Sequence, residues 1–125
     1  MATQENTTCI TKKANADLST KQYFFMKMPS AQTVDVCAAI TDKAVGVLQN
    51  KPAAAGRDAS IAVDGTTKVV ASGVIAAGAY VAPTATGKAQ VAASTQFPRG
   101  QAMEAAAADG DIIEILLIAG GVPLP

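Results

Sequence analysis

Asp109-Gly110-Asp111 sets a carboxylate on either side of a glycine, an arrangement whose oxygens could ligate calcium. The oxygen-rich spacing of an EF-hand loop is missing around it, and Asp-Gly-Asp commonly serves as a turn entering a strand, which is the reading adopted. No metal or cofactor is therefore expected. The chain has no histidine. That removes the common general base near neutral pH, every His-dependent triad and the usual zinc ligand. There is also no CxxC pair, no glycine-rich phosphate loop ending in GK[ST] and no GxSxG elbow. Chemistry would fall to carboxylates, lysines or a lone thiol, and no catalytic residue is expected. Cys9 and Cys37 are too few for a disulfide framework and read as free thiols of a protein made in a reducing cytoplasm. Cys37, between Val36 and Ala38, fits a small core residue better than a nucleophile. Lys12-Lys13 could meet an acidic partner surface or simply stay solvated.

The chain that must position these groups is short of large side chains. Its 125 residues include 27 alanines, three Phe, two Tyr and no Trp. That length suits one domain with a core assembled from small pieces. Charged residues are 16% of the sequence, against about 25% in typical soluble domains, and the ten basic residues balance the ten acidic ones. Much surface is therefore neutral, which suits a protein packed against others. No basic run marks a nucleic-acid or anionic-membrane partner. The apolar run Ile112 to Ile118 is interrupted by Glu114 and too short to cross a bilayer, and Met1 to Thr20 lacks the apolar stretch of a secretory signal.

The stretch from Ala44 to Pro83 predicts four short strands joined by glycine turns. Asp64-Gly65, between SIAV and TTKVVAS, predicts a type I′ hairpin. Turns follow at Ser72-Gly73 and Gly78. Before this stretch, KQYFFMKM (residues 21–28) predicts a first strand ended by Pro29, with Phe24, Met26 and Met28 on one face and Tyr23 and Phe25 on the other. Val34 to Ile40 alternates as a second strand. After it, Thr86-Gly87 predicts a hairpin, and IIEILLI predicts a central strand covered on both sides. QAMEAAAA is an alternative two-turn helix stopped at Gly110.

A weak repeat offset by 54 residues matches Gly46 with Gly100, Ala53-Ala54 with Ala107-Ala108, Gly56 with Gly110, and Ile61 with Ile115. The expected architecture is all-β: a small single-domain β-barrel or β-sandwich-like fold of short strands and glycine turns. Residues 1–20, with only scattered apolar positions, form an extended, flexible N-terminal arm that orders on a partner. Residues 21–119 form the β domain and 120–125 a C-terminal tail.

KAVGVLQNKPAAAGRDASIAVDGTTKVVASGVIAAGAYV, TGKAQVAA and GQAMEAAAADGDIIEILL together resemble the small head-decoration, or capsid cement, proteins of tailed bacteriophages. The resemblance covers about residues 40–118. It implies an all-β, non-enzymatic virion protein, synthesised in the host cytoplasm, that binds the capsid exterior as an oligomer, often a trimer, and stabilises the assembled shell. Its implied partners are the major capsid protein and further copies of itself. In similar proteins the N-terminal arm orders on the shell, which makes Thr7, Thr8, Ile10, Lys12 and Lys13 the candidate capsid contacts, with Ile10 the best apolar anchor. A tail or baseplate subunit is a neighbouring alternative. A carbohydrate or host-recognition module is the alternative from another class, although sugar sites favour exposed aromatics.

Overall fold

Alternation of side chains along short strands sorts this small-residue sequence into two cores. In a computed structural model, which describes residues 7–118, every regular element is a strand. They are β1 (Thr8–Ala14), β2 (Phe25–Ser30), β3 (Thr33–Val36), β4 (Gly46–Leu48), β5 (Asp58–Asp64), β6 (Thr66–Val70), β7 (Tyr80–Pro83), β8 (Ala89–Val91), β9 (Gly100–Ala102) and β10 (Ile112–Leu117). The first five close into a barrel in the order β1-β3-β2-β4-β5, and the last five form a sheet in the order β6-β10-β9-β7-β8. Ala14, Leu18, Met26, Val34, Leu48, Ala59 and Ile61 fill the first barrel. The second core joins Val69, Ile75, Val81, Ala102, Ile113 and Ile115 to the outward-facing Phe25, Cys37, Val47 and Ala62 of that barrel.

The two halves are the same structure twice. Met26 pairs with Gly46 and Leu48 with Ile61 in the first half; Val81 pairs with Gly100 and Ala102 with Ile115 in the second. Met26 lies opposite Val36, as Val81 lies opposite Val91. Even the parallel Ala14–Val34 pairing that closes the barrel recurs as a single parallel bridge between Ala71 and Ala89. Connections follow suit: Leu18 N–H donates to Pro52 O and Ile75 N–H to Ala106 O, while Gly56 and Gly110 donate to Ala14 O and Ala71 O, both at 2.8 Å. The repeat seen as Gly46/Gly100 and Ile61/Ile115 is thus a tandem duplication of one five-stranded unit, a closed barrel in the first copy and, in the second, a barrel left open as a sheet and bridged only at Ala71–Ala89. Those glycines are held by close approach: a Cβ on Gly46 would lie 2.1 Å from Ala62 O, and one on Gly100 2.7 Å from Ile115 Cδ1.

Several sequence expectations change. Residues 8–14 are not a flexible arm but β1, paired with β5 from Thr8–Asp64 to Lys13–Asp58 and with β3. The strand is thinly apolar because its more buried positions, Ile10, Lys12 and Ala14, include a lysine and an alanine, so composition alone hides it. Residues 1–6 of the expected arm and the tail at 120–125 lie outside the described residues. Asp64-Gly65 is no hairpin: β5 and β6 belong to different sheets, and only Gly65 takes a positive φ, 85°. The pair is a one-residue switch between barrels. Thr86-Gly87 is a true hairpin joining β7 to β8.

Smaller differences have local causes. β2 runs through Pro29, which sits in a register shift between Lys27 and Ser30 where a missing donor is tolerated. β3 stops at Val36, and residues 101–108 contain no helix. β10 is central, between β6 and β9, but only Ile113, Ile115 and Leu117 are covered, whereas Ile112 and Leu116 face outward.

Candidate interaction surfaces

The barrels meet along the seam of the second one. In the first barrel Lys13 N–H donates to Gln32 O at 3.0 Å and helps close β1 onto β3. At the corresponding place in the second, the segment Tyr23–Phe25 is interposed. Val70 N–H donates to Tyr23 O at 3.0 Å and Phe25 N–H donates to Gly87 O at 2.8 Å. The Phe25 ring, fully buried, completes the second core. Around it Gln49 Nε2–H donates to Thr67 Oγ1 at 2.7 Å, and the Lys68 ammonium lies 5.8 Å from the Tyr23 ring centre. Full burial of an aromatic ring contributes about 2–3 kcal/mol of transfer free energy, so this contact couples the barrels.

Arg99 ties the junction with three side-chain hydrogen bonds. Its Nη2 donates to Val45 O at 3.1 Å and Val63 O at 3.0 Å, and its Nη1 donates to Ile118 O. Three carbonyls from both barrels thus share one guanidinium, whose planar fork suits such convergent acceptors. Burial pulls its pKa below the usual arginine value, partly countered by Asp64. The register partner of Arg99 in the first barrel is Val45, so the staple is an asymmetry introduced at the joint.

The aspartates of the Asp109-Gly110-Asp111 motif make structural contacts. Asp111 Oδ2 accepts from the N–H groups of Ala107 and Ala108, at 2.8 and 3.1 Å, and so caps its own turn; Asp109 pairs with Lys88 at 2.9 Å. Asp42 does the same for Ala38 and Ala39. Among the described residues no three His, Cys, Asp or Glu side chains gather where they could hold a metal. Cys37 is fully buried, and desolvation, helped by nearby Asp42, pushes its thiol up to about 12. Two open surface hollows, of about 540 and 530 Å³, lie beside Asn50–Asp58 and between Lys27-Met28 and residues 41–45.

The five candidate contact residues are brought onto one strand and its approach, yet they do not share one face. Thr7 Oγ1–H donates to Thr66 O at 2.6 Å, Lys12 Nζ donates to Gln32 Oε1 at 2.7 Å, and Lys13 pairs with Asp58. Ile10 is half-buried against the core of its own barrel, and Thr8 and Lys13 are the exposed members. What sequence reading misses is an outward face on β7, β9 and β10, where Tyr80, Gln101 and Leu116 stand side by side in register. The 54-residue repeat was the signal for it, because it maps this face onto Val47 and Ala62.

The fold thus defines a class of two small five-stranded β units joined into one body by a shared core, with side-chain faces turned outward. The chain belongs to the phage cement protein family, whose model matches residues 2–117 and so spans both barrels. It is a structural virion protein of a bacteriophage. Its fold resembles the crystal structure of the head fiber gp8.5 N base in bacteriophage phi29, with a TM-score of 0.69 and 16% identity over 93% of this chain and 98% of that one. No curated protein sequence shows significant similarity to it.

Proposed function

We propose that the protein binds the exterior of a phage capsid and stabilises the assembled shell, acting without catalysis as an oligomer, a trimer in the simplest case. The observation that carries this reading is the family match over residues 2–117, which takes in both barrels and their junction. The head fiber base with the same fold supports an exterior position on a phage head. The partner is the major capsid protein, and the stabilisation is mass action: a ligand that binds only the assembled shell opposes disassembly by its binding free energy. The neutral, weakly charged surface fits a partner engaged through shape and apolar contact more than through long-range attraction.

Co-sedimentation of the purified protein with mature heads and with unexpanded precursor shells tests this. Saturable binding to mature heads, with slower release of the packaged genome on heating, is the expected result. Binding to neither shell overturns the capsid reading and directs attention to the tail. Because β1 belongs to the barrel, the N-terminal contribution is tested by removing residues 1–6 rather than 1–20.

A further inference from the structure

Each half of the internal junction recurs, uncovered, on the other barrel. On the first barrel Phe25, Val47 and Ala62 stand in register across β2, β4 and β5 and are fully buried against the second. Their register equivalents are Tyr80, Gln101 and Leu116, of which Tyr80 is 51% and Leu116 36% exposed. On the receiving side, Pro83 and Gly87 of the second barrel are buried, and Val70 is half-buried against first-barrel residues. Their equivalents Met28, Gln32 and Lys13 are exposed.

We propose that a second copy of this chain covers these surfaces: the β7-β9-β10 face of one protein docks over the β1-β3 seam of the next, repeating head to tail the contact made inside the chain. This deepens the reading of the protein as an oligomer and does not depend on shell binding. The interface is heterologous, since its two halves lie on different barrels, and it therefore builds rings or chains rather than twofold dimers. The seam it covers is already closed by the Lys13–Gln32 bond. Docking is thus side chain on side chain, without the interposed strand segment of the internal junction, and is weaker and reversible. Tyr80 supplies the kind of rigid aromatic anchor that carries such contacts.

The test uses the full chain in solution, without shells, so that its failure is separable from failure of capsid binding. Sedimentation equilibrium up to about 0.5 mM, where even a millimolar affinity registers, should show the wild-type mass rising above the monomer. Leu116→Asp removes the docking face and Met28→Asp the receiving one; each variant alone should stay monomeric with an unchanged circular dichroism spectrum. Mixed together they should form a one-to-one heterodimer, because each retains the half the other lacks. If Leu116→Asp fails to fold, Tyr80→Asp replaces it with the same expected outcome. A wild type that remains monomeric overturns the proposal, as does a variant that associates like the wild type or a mixture that stays monomeric.

Discussion

Replacing Phe25 by alanine should be far more costly than the same truncation at Tyr80, although the two occupy the same place in the two barrels. Phe25 is fully buried where the first barrel closes the second, so its loss removes the transfer free energy of the ring and leaves a cavity between cores. Truncations of this kind cost about 3–5 kcal/mol. A chain of this length has a total stability on the order of 6–19 kcal/mol. The melting temperature should accordingly fall by roughly 10–20 °C. Tyr80 is half exposed in the monomer, so Tyr80→Ala should stay within about 1 kcal/mol. Urea and thermal unfolding, followed by circular dichroism and by tyrosine fluorescence at dilute concentration, read both variants. The wild type should unfold in one transition, because Phe25 and Arg99 make each barrel part of the other. Equal costs at the two positions would refute the reasoning, as would separate transitions for the two barrels in the wild type.

Arg99→Ala should cost roughly 2–4 kcal/mol in urea unfolding, since it leaves carbonyls of Val45, Val63 and Ile118 without their charged donor. Arg99→Lys should recover only a small part, because one ammonium cannot span three convergent acceptors. Cys37 predicts an alkaline weakness: its folded pKa is about 12 against 9.0 for the free thiol, so the native state keeps a proton that the unfolded chain loses. The associated stability is complete below pH 9 and is lost as pH rises from 9 toward 12, by about 1.4 kcal/mol per unit. Urea midpoints of wild type and Cys37→Ala, compared from pH 8 to pH 11, should converge with rising pH; parallel curves would exclude the effect.

The legible part of the fold was the part set by local rules. Thr86-Gly87 reads correctly as a hairpin because β7 and β8 pair with each other across it. Asp64-Gly65 carries an equally good local signal, but nothing local decides whether the strands beside a turn pair together. Here β5 goes to β1 and β4, and β6 to β10. The same limit hid β1: Thr8–Ala14 becomes a strand by pairing with residues about twenty and about fifty positions later. Ile112 and Leu116 looked like core by type, and it is the register of β10 between β6 and β9 that turns them outward. The repeat was visible in a few glycines, alanines and one isoleucine pair, yet most barrel positions kept only their side. Ala59 against Ile113, or Leu48 against Ala102, keeps a buried apolar position and changes both identity and size.

The one-residue link at Gly65 has a consequence for recognition. Two modules joined by a long tether must surrender their relative freedom when both engage a target, and that loss weakens the second contact. Here the joint has no slack, and Phe25 and Arg99 hold it on either side. The distance and angle between the two outer surfaces are thus fixed before any encounter, and a partner matching that spacing meets both at no ordering cost. A partner with a different spacing is rejected by geometry alone, so the short link works as a caliper as well as a connection.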